Sequence, residues 1–424
     1  MEFKSLCVIG MGYIGLPTAS IFASKGLQVT GMDINQGIIE GLQAGQVHIF
    51  EPGLRDVVVE ALEKGQLTIS TEVTPADAFI IAVPTPFYED KRADMRAVVA
   101  ACESIVPHLQ QGNLVILEST SPPRTTLDIV TPILEKSGLK AGEDFLLAYS
   151  PERVLPGRIL SELVENPRVI GGIDRASAEA GRDLYRFFVE GDIILTDATT
   201  AEMVKLMENT SRDINIAIAN EFARLAQRFE VDIWEAISIA NLHPRVEILR
   251  PGVGVGGHCI SVDPWFLVEA APGDAALIKT ARQVNDQQPA FVAGLIERAA
   301  GGLKGKTVAL LGLSFKPNVD DLRESPAVDL VHHLQAMGAD VYAYEPFRMD
   351  AGLEGVRQVG SLEAVLIDAD IIVLAVAHDQ FKDLDPDLIR SKTRAEVAFD
   401  AVRVWDKAAW ELAGFQFSGL ARKY

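Results

Sequence analysis

Cysteine is scarce. Cys7, Cys102 and Cys259 are the only three among 424 residues, odd in number and far apart. No disulfide framework and no zinc spacing can be built from them, and the usage fits a cytoplasmic, reducing location. Long apolar runs are missing too. Leu6–Gly10 is too short for a signal peptide and leads straight into a glycine turn. No stretch reaches the roughly 18 apolar residues that a membrane span needs. Positive charge is in deficit: 39 Lys and Arg face 59 Asp and Glu, a net charge of −20. Such a surface repels nucleic acid and anionic membrane at long range, so an anionic ligand needs a local cluster of Arg and Lys. Apolar material is abundant, at 48% of the chain beside an ordinary 23% charged. That suits a globular protein of two or three domains and leaves little room for disorder.

The order of elements follows from the apolar runs and their punctuation. Ser5–Ile9 reads as a buried strand, Gly10 to Gly15 as a turn and Thr18–Lys25 as a helix. Leu27–Met32 is a second strand ending at Asp33, and Ala78–Val83 and Asn113–Glu118 continue the series. Strands separated by helices imply a parallel, doubly wound sheet. From Thr199 to about Arg228 there is no Gly or Pro, and Met203, Leu206, Ile214, Ile218, Phe222 and Leu225 recur near helical spacing. That is one long helix, fit to be a spine between domains and a dimer interface. Gly301–Gly305 reads as a joint. Beyond it Thr307–Leu311 is again a strand before a glycine turn, Val328–Met337 a helix, and Asp340–Tyr344 a strand ending at Glu345. Asp368–Val376 (DADIIVLAV) matches Asp77–Val83 (DAFIIAV), both opened by Asp-Ala. The expected fold is therefore α/β: two Rossmann-like, doubly wound parallel-sheet domains (1–198 and 301–424) joined by a helical central domain (199–300) that holds the spine helix. Two such sheets suggest two nucleotide-like sites.

The first glycine turn carries the most specific local signal. Gly10, Gly12 and Gly15 form G-M-G-Y-I-G after a strand and at the mouth of a helix, and Asp33 ends the next strand 18 residues after Gly15. Gly10 permits the tight turn, Gly12 lets backbone approach a pyrophosphate, and Gly15 lets helix and strand pack closely. The helix N-terminus offers N–H groups and a positive dipole end to phosphate. Asp33 is placed to accept from an adenosine ribose and would repel a 2′-phosphate. Ile34 and Asn35 follow it, with no Arg, so NAD is the expected cofactor.

Four further clusters bear chemistry. The glycine-rich Pro251–Gly257 loop is followed by His258, Cys259 and, four residues on, Asp263. Glycines there expose backbone N–H groups and leave room for a ligand, so the thiol is placed to add to an aldehyde; the alternative is a buried, inert cysteine. Lys205, Asn209 and Arg212 share one face of the long helix, as a site or as a solvated stripe. Glu152 in Ser150–Arg153 (SPER) and Glu118–Thr120 (EST) stand at strand C-termini, where α/β sheets build sites, or serve as turns and caps. Finally His243, Pro244 and Arg245 precede the glycine loop, and Lys316, Asp320, Asp321 and Arg323 follow the later glycine turn. Their basic members supply cations for a pyrophosphate.

In order along nearly the whole chain, GMGYIG, VPTP (Val83–Pro86), EST, SPER, KLMEN (Lys205–Asn209), GGHC with Asp263, and FKPNVDDLRESP (Phe315–Pro326) resemble the UDP-glucose/GDP-mannose dehydrogenase family. ILESTSP, SPERVLPG, Arg212–Asn215, HPRV and the segment after GGHC are similar to its UDP-N-acetylmannosamine branch, from bacterial polysaccharide synthesis. The glucose branch carries Pro-Lys-Asp where this chain has Ser261 and Val262 before Asp263, which speaks against UDP-glucose.

The resemblance implies an NAD-dependent, four-electron oxidation of a UDP-sugar C6 hydroxyl to a carboxylate. Cys259 is then the nucleophile of a thiohemiacetal and a thioester. Lys205 and Asn209 stabilise oxyanions, Lys205 also moves protons, Asp263 and Glu152 handle water, and Thr120 helps organise it. For NAD the implied positions, besides the glycines, are Tyr13, Ile14, Asp33, Thr85 and Thr126. For the nucleotide sugar they are Arg153, Val154, Lys205, Asn209, Arg212, His243, Arg245, Gly256, Lys316, Pro317 and Arg323. The implied assembly is a homodimer, with His243 and Arg245 as candidates to reach a partner's substrate. Alternatives are UDP-N-acetylglucosamine or UDP-glucose as substrate, a two-electron hydroxyacid dehydrogenase of the 6-phosphogluconate type, and an NAD-binding protein without chemistry.

Overall fold

A computed structural model describes residues 2–155 and 157–421; Pro156 of the SPERVLPG segment lies outside the described residues. By its internal contacts the chain divides into two compact units. One comprises Met1–Glu208 and Trp265–Pro272, the other Asn209–Pro264 and Gly273–Tyr424.

The first unit is built on eight strands: β1 (Ser5–Ile9), β2 (Gln28–Met32), β3 (Leu67–Ser70), β4 (Ala78–Ile81), β5 (Leu114–Leu117), β6 (Leu146–Tyr149), β7 (Arg168–Gly172) and β8 (Ile193–Asp197). Their order is β3-β2-β1-β4-β5-β6-β7-β8. β4 and β5 are buried along their whole length because helices cover both faces, which is why they read as unbroken apolar runs. The chain reverses its winding between β1 and β4, the place where a doubly wound sheet opens a crevice. The sheet is not parallel throughout. β7 pairs antiparallel with β6, and β8 runs parallel to β7. The reversal brings Arg168, the first residue of β7, beside the C-terminal ends of β5 and β6.

The second unit holds β9 (Thr307–Leu311), β10 (Asp340–Tyr344), β11 (Arg357–Gln358), β12 (Ile371–Leu374), β13 (Val397–Asp400) and β14 (Gln416–Gly419), all parallel, in the order β11-β10-β9-β12-β13-β14. This repeats the order of the first six strands of the other sheet. The following helix, Pro326–Ala336, is capped by the Ser325 hydroxyl and opens on a proline, whose missing N–H costs nothing there.

The expected long helix runs Ala198–Phe229, 32 residues, and the division between the units falls within it. Its second half docks on the helix Ala276–Asp286 through a buried polar network. Arg282 pairs with Asp213 at 2.5 Å, Asn285 donates to Asp213, and Asn220 donates to Asn285 at 2.9 Å. Ion pairs out of water hold only when such further hydrogen bonds complete them. On another face Ile218, Phe222, Leu225 and Phe229 stand exposed on successive turns. Among the described residues no helix is long and apolar enough to cross a membrane.

Candidate functional site

In the first unit, Gly10 adopts φ 99°, and a Cβ there would meet the Ala82 carbonyl oxygen at 2.6 Å. Only glycine fits. The helix opens at Gly15, whose own missing side chain admits the Gly10 carbonyl. Gly12 differs: a Cβ there meets nothing within 4 Å. Its lack of a side chain serves no packing within the protein and leaves open space beside the turn, where a pyrophosphate needs it. Asp33 is half-buried at the end of β2 and pinned by backbone. Its Oδ2 accepts from Met11 N at 2.8 Å and its Oδ1 from Asn35 N at 2.9 Å. A carboxylate fixed at this place fits a ribose diol, and exposed Ile34 supplies no cation for a 2′-phosphate. These residues fit NAD. Tyr13 is exposed and Ile14 half-buried at the same turn.

The ends of β4 and β5 are tied together: the Thr85 hydroxyl donates to the Thr120 carbonyl at 2.7 Å. Thr126 is fully buried, and both its N–H and its hydroxyl donate to Glu202 of the long helix, at 2.8 and 2.7 Å. Its side chain is thereby turned to protein, so it orders the segment after Thr120 rather than offering a free hydroxyl.

Next to it lies a buried charge cluster. Arg168 donates to Glu118 (3.1 Å), Ser150 (3.0 Å) and Glu152 (2.6 Å), and lies 4.1 Å from the Tyr185 ring centre. Tyr185 donates to Glu118 at 2.6 Å. Two acids therefore share one buried cation. Burial pushes Glu118 up to about 7, against the pull of Arg168, while the charge of Glu152 pushes the same way. Burial also raises Tyr185 well above its ordinary range. Glu152 accepts from Arg153 N as well (2.6 Å), so both its oxygens are held. The Arg153 side chain pairs with Glu208 at 2.6 Å, and Val154 packs on the apolar core below.

In the second unit Cys259 opens a turn that runs into the helix Asp263–Ala270. Its carbonyl accepts from Val262 N (3.0 Å) and Asp263 N (2.8 Å), and the Ser261 hydroxyl donates back to the Gly257 carbonyl. Asp263, 2% exposed, accepts from the Asn209 amide at 2.5 Å. Asn209 and Lys205 are both half-buried, one turn apart on the long helix, whereas Arg212 is exposed. The His258 ring approaches the thiol, Nδ1 to Sγ 2.9 Å.

Gly256 and Gly257, just before this turn, are pressed by protein rather than left open for a ligand. A Cβ on Gly256 would run into the Glu324 carbonyl, Pro326 and Phe315, and one on Gly257 (φ 87°) into the Phe315 ring. Gly257 N donates to the Arg323 carbonyl at 3.0 Å. The expectation that these glycines make ligand room is corrected: they let the cysteine loop lie against Phe315–Pro326. That segment carries Lys316, whose ammonium lies 5.6 Å from the Phe315 ring centre, exposed Pro317, and Arg323, which grips Asp321 with two bonds of 2.9 and 2.6 Å. His243 and Arg245 stand exposed, the Arg245 N–H donating to the His243 ring.

Sequence reasoning missed Arg168, Glu202 and His258's contact with the thiol. A lone Arg opening the apolar strand RVIGG was a usable signal for the first; Glu202 had none.

Three domain descriptions match the chain: the UDP-glucose/GDP-mannose dehydrogenase family's NAD binding domain over residues 4–189, its central domain over 199–287 and its UDP binding domain over 309–407. An NDP-N-acetyl-D-galactosaminuronic acid dehydrogenase of Ralstonia nicotianae is 48% identical, over 96% of this chain and 97% of that protein. A UDP-N-acetyl-D-mannosamine dehydrogenase of Methanocaldococcus jannaschii is 46% identical, over 97% and 95%. The solved UDP-D-ManNAc dehydrogenase of Pyrococcus horikoshii superimposes with a TM-score of 0.92 at 41% identity, over 99% of both chains.

Proposed function

This chain belongs to the UDP-glucose/GDP-mannose dehydrogenase family, and from that premise we propose that it oxidises the C6 hydroxyl of UDP-N-acetyl-D-mannosamine to the carboxylate through a covalent bond to Cys259. With both an NAD binding and a UDP binding domain it is an NAD-dependent UDP-sugar dehydrogenase. The observation that carries the covalent reading is the 2.5 Å bond from Asn209 to Asp263. It sets an amide donor of the long helix and a buried carboxylate on the turn that presents the thiol.

Bound NAD supplies the acceptor for one hydride from C6 in each of two oxidations. The rest falls to the chain. Lys205 or Asp263 takes the hydroxyl proton, directly or through water. The Cys259 thiolate adds to the C6 aldehyde, so that the reactive carbonyl stays bound until it is oxidised to a thioester. Lys205 and Asn209 donate to the oxygen as it gains charge. Asp263 and Glu152 then direct water onto the thioester, with Thr120 placing it. Gly10, Gly12, Tyr13, Ile14, Gly15, Asp33, Thr85 and Thr126 serve the dinucleotide, Thr126 through its bonds to Glu202. Arg153, Val154, Arg212, Gly256, Lys316, Pro317 and Arg323 serve the nucleotide sugar, Gly256 by letting its loop lie on Phe315. We propose residues 1–198 as the NAD-binding domain, 199–300 as the central, dimerising domain with the Cys259 loop, and 301–424 as the UDP-sugar-binding domain, with residues of all three meeting the nucleotide sugar. The exposed stripe Ile218–Phe229 supports a homodimer, with exposed His243 and Arg245 offered to the partner's substrate. A cytoplasmic role in polysaccharide synthesis completes the reading.

One observation favours a second substrate. The Ralstonia relative is named for N-acetyl-D-galactosaminuronic acid, a stereoisomer of the mannosaminuronate that differs at two ring carbons. The test is NADH formed per sugar consumed, with UDP-N-acetylmannosamine, UDP-N-acetylgalactosamine, UDP-N-acetylglucosamine and UDP-glucose offered separately. Two NADH per sugar with UDP-N-acetylmannosamine alone is expected. Two with another sugar keeps the chemistry and moves the substrate; one NADH removes the role of Cys259. Cys259→Ser is expected to make no carboxylate, and normal turnover by it would end the covalent reading.

A further inference from the structure

We infer that His258 is the group that takes the Cys259 thiol proton and gives it back, so that the nucleophile is a cysteine–histidine pair formed by adjacent residues. The inference rests on the proposal that Cys259 attacks the aldehyde. His258 Nδ1 lies 2.9 Å from Cys259 Sγ, within reach for direct proton transfer. Neighbouring side chains rarely face each other, and here the backbone makes them do so. Gly257 holds φ 87° with the Phe315 ring against its α-carbon, and its N–H is fixed to the Arg323 carbonyl. On the other side Val262 N, Asp263 N and the Ser261 hydroxyl close the turn around Cys259. The His-Cys dipeptide is clamped at both ends.

The charges around it suit a proton resting on the ring. Asp321 lies close enough for an imidazolium to favour its carboxylate. Burial works against that ionisation, yet the bonds and charge of Arg323, joined by His258, keep Asp321 below the ordinary range. The attraction is mutual: an ionised Asp321 stabilises the protonated ring. Arg323 is occupied by that carboxylate through two bonds, which blunts its repulsion of an imidazolium. Asp263, on the turn itself, adds a second carboxylate bonded to Asn209.

The proton balance is simple. The neutral ring carries its hydrogen on Nε2 and accepts the thiol proton at Nδ1. The thiolate forms the C–S bond to the aldehyde carbon while the carbonyl pair moves to oxygen. His258 keeps the proton through the thioester stage. When water attacks, the C–S bond breaks, the electron pair returns to sulfur, and Nδ1 returns the proton to it.

The test is alkylation by iodoacetamide across pH 5.5–10, quantified at Cys259 by mass spectrometry in wild type, His258→Gln and His258→Ala. Background from the other thiols is low: Cys7 and Cys102 are buried, and burial raises the first and pushes the second up to about 12. The wild type is expected to react well below pH 7. Both variants should shift to a single rise near the ordinary thiol value of about 8.5 and react roughly tenfold more slowly at pH 7. Above pH 9.5 all three should agree within about twofold. His258 is exposed, so equal NAD binding and melting temperature will certify the fold. Superimposable profiles would overturn the pair and leave thiolate formation to another group such as Lys205. Failure of the underlying reading looks different: Cys259→Ser would then still yield two NADH per sugar, whatever the alkylation profiles.

Discussion

Two turns, one in each unit, are built to the same plan. After β1, Gly10 (φ 99°) donates to Met32 at 2.7 Å, and Asp33 accepts from Met11 N and from Asn35 N, two residues on. After β9, Gly312 (φ 91°) donates to Tyr344 at 2.9 Å, and Glu345 accepts from Leu313 N, Ser314 N and, two residues on, Phe347 N. The difference lies in what stands over the acid. Asp33 is half-open. Glu345 is fully buried beneath His378, whose Nε2 is 3.1 Å from its Oε2 while Nδ1 accepts from Asn318 N at 2.9 Å. The position matching His378 in the first unit, counted from the end of β4, is Thr85, whose hydroxyl turns to Thr120 instead. So one plan yields an acid that can serve a ribose and an acid that stoppers its own crevice and holds the loop of Lys316. A Rossmann-like turn alone does not make a dinucleotide site.

That contrast is best attacked at the two acids. Glu345→Ala strips the acceptor from three amides and from His378, and should cost about 3–5 kcal/mol of stability, as the loss of one partner of a buried pair does. Asp33→Ala leaves two half-open amides and should cost only about 1–2 kcal/mol, yet raise the KM for NAD roughly tenfold to hundredfold, the worth of hydrogen bonds to a charged group. Denaturant melts and steady-state kinetics on both variants decide it. Equal stability losses would erase the distinction between open and stoppered acid.

The glycines sharpen it further. Gly10→Ala forces a side chain into φ 99° and onto the Ala82 carbonyl, so it should destabilise by at least about 2 kcal/mol. Gly12→Ala meets no protein atom and should leave the melt within about 0.5 kcal/mol of wild type, while the KM for NAD rises roughly tenfold. A destabilised Gly12→Ala with unchanged KM would mean that Gly12 serves packing after all.

Why the first turn was legible and the second half-hidden has a physical reason. GMGYIG with Asp33 is local: every bond that matters lies within about 25 residues, and glycine types report backbone directly. The long helix was legible for the same reason, and the structure adds only a residue at each end. The match of Asp-Ala in the two halves was misleading. By the register within each sheet, the counterpart of Asp77, which accepts from Ser5 N at 2.9 Å, is Asp370, which accepts from Thr307 N at 2.8 Å and lies two residues beyond Asp368. Identical letters out-competed the register that burial dictates. Arg168 left a trace, a lone Arg opening RVIGG, but its partners were hidden because they depend on β7 running backwards, a property of the whole sheet. The glycines at 256 and 257 looked open because Phe315, some sixty residues away, is what fills them.

The smallest expected effect sets the buried acids of the two units against each other in pH. Glu345 is resisted by burial but held below the ordinary carboxyl range by His378 and by backbone N–H groups. Its contribution to stability is present above the unfolded value and is lost as pH falls through the folded one. Glu118 has the opposite sign. The native state holds its proton more tightly than the unfolded chain does, so its contribution is full below about 4.5 and is lost as pH rises toward about 7. Glu118→Gln removes that titration, keeps an oxygen for Tyr185 and leaves Arg168 its pair with Glu152. Melts of this variant between pH 5 and 8 should therefore decline less than those of wild type, with the two curves meeting at the acid end. A decline as steep in Glu118→Gln as in wild type would take the titrating proton off Glu118 and leave it an ionised acid like Glu345.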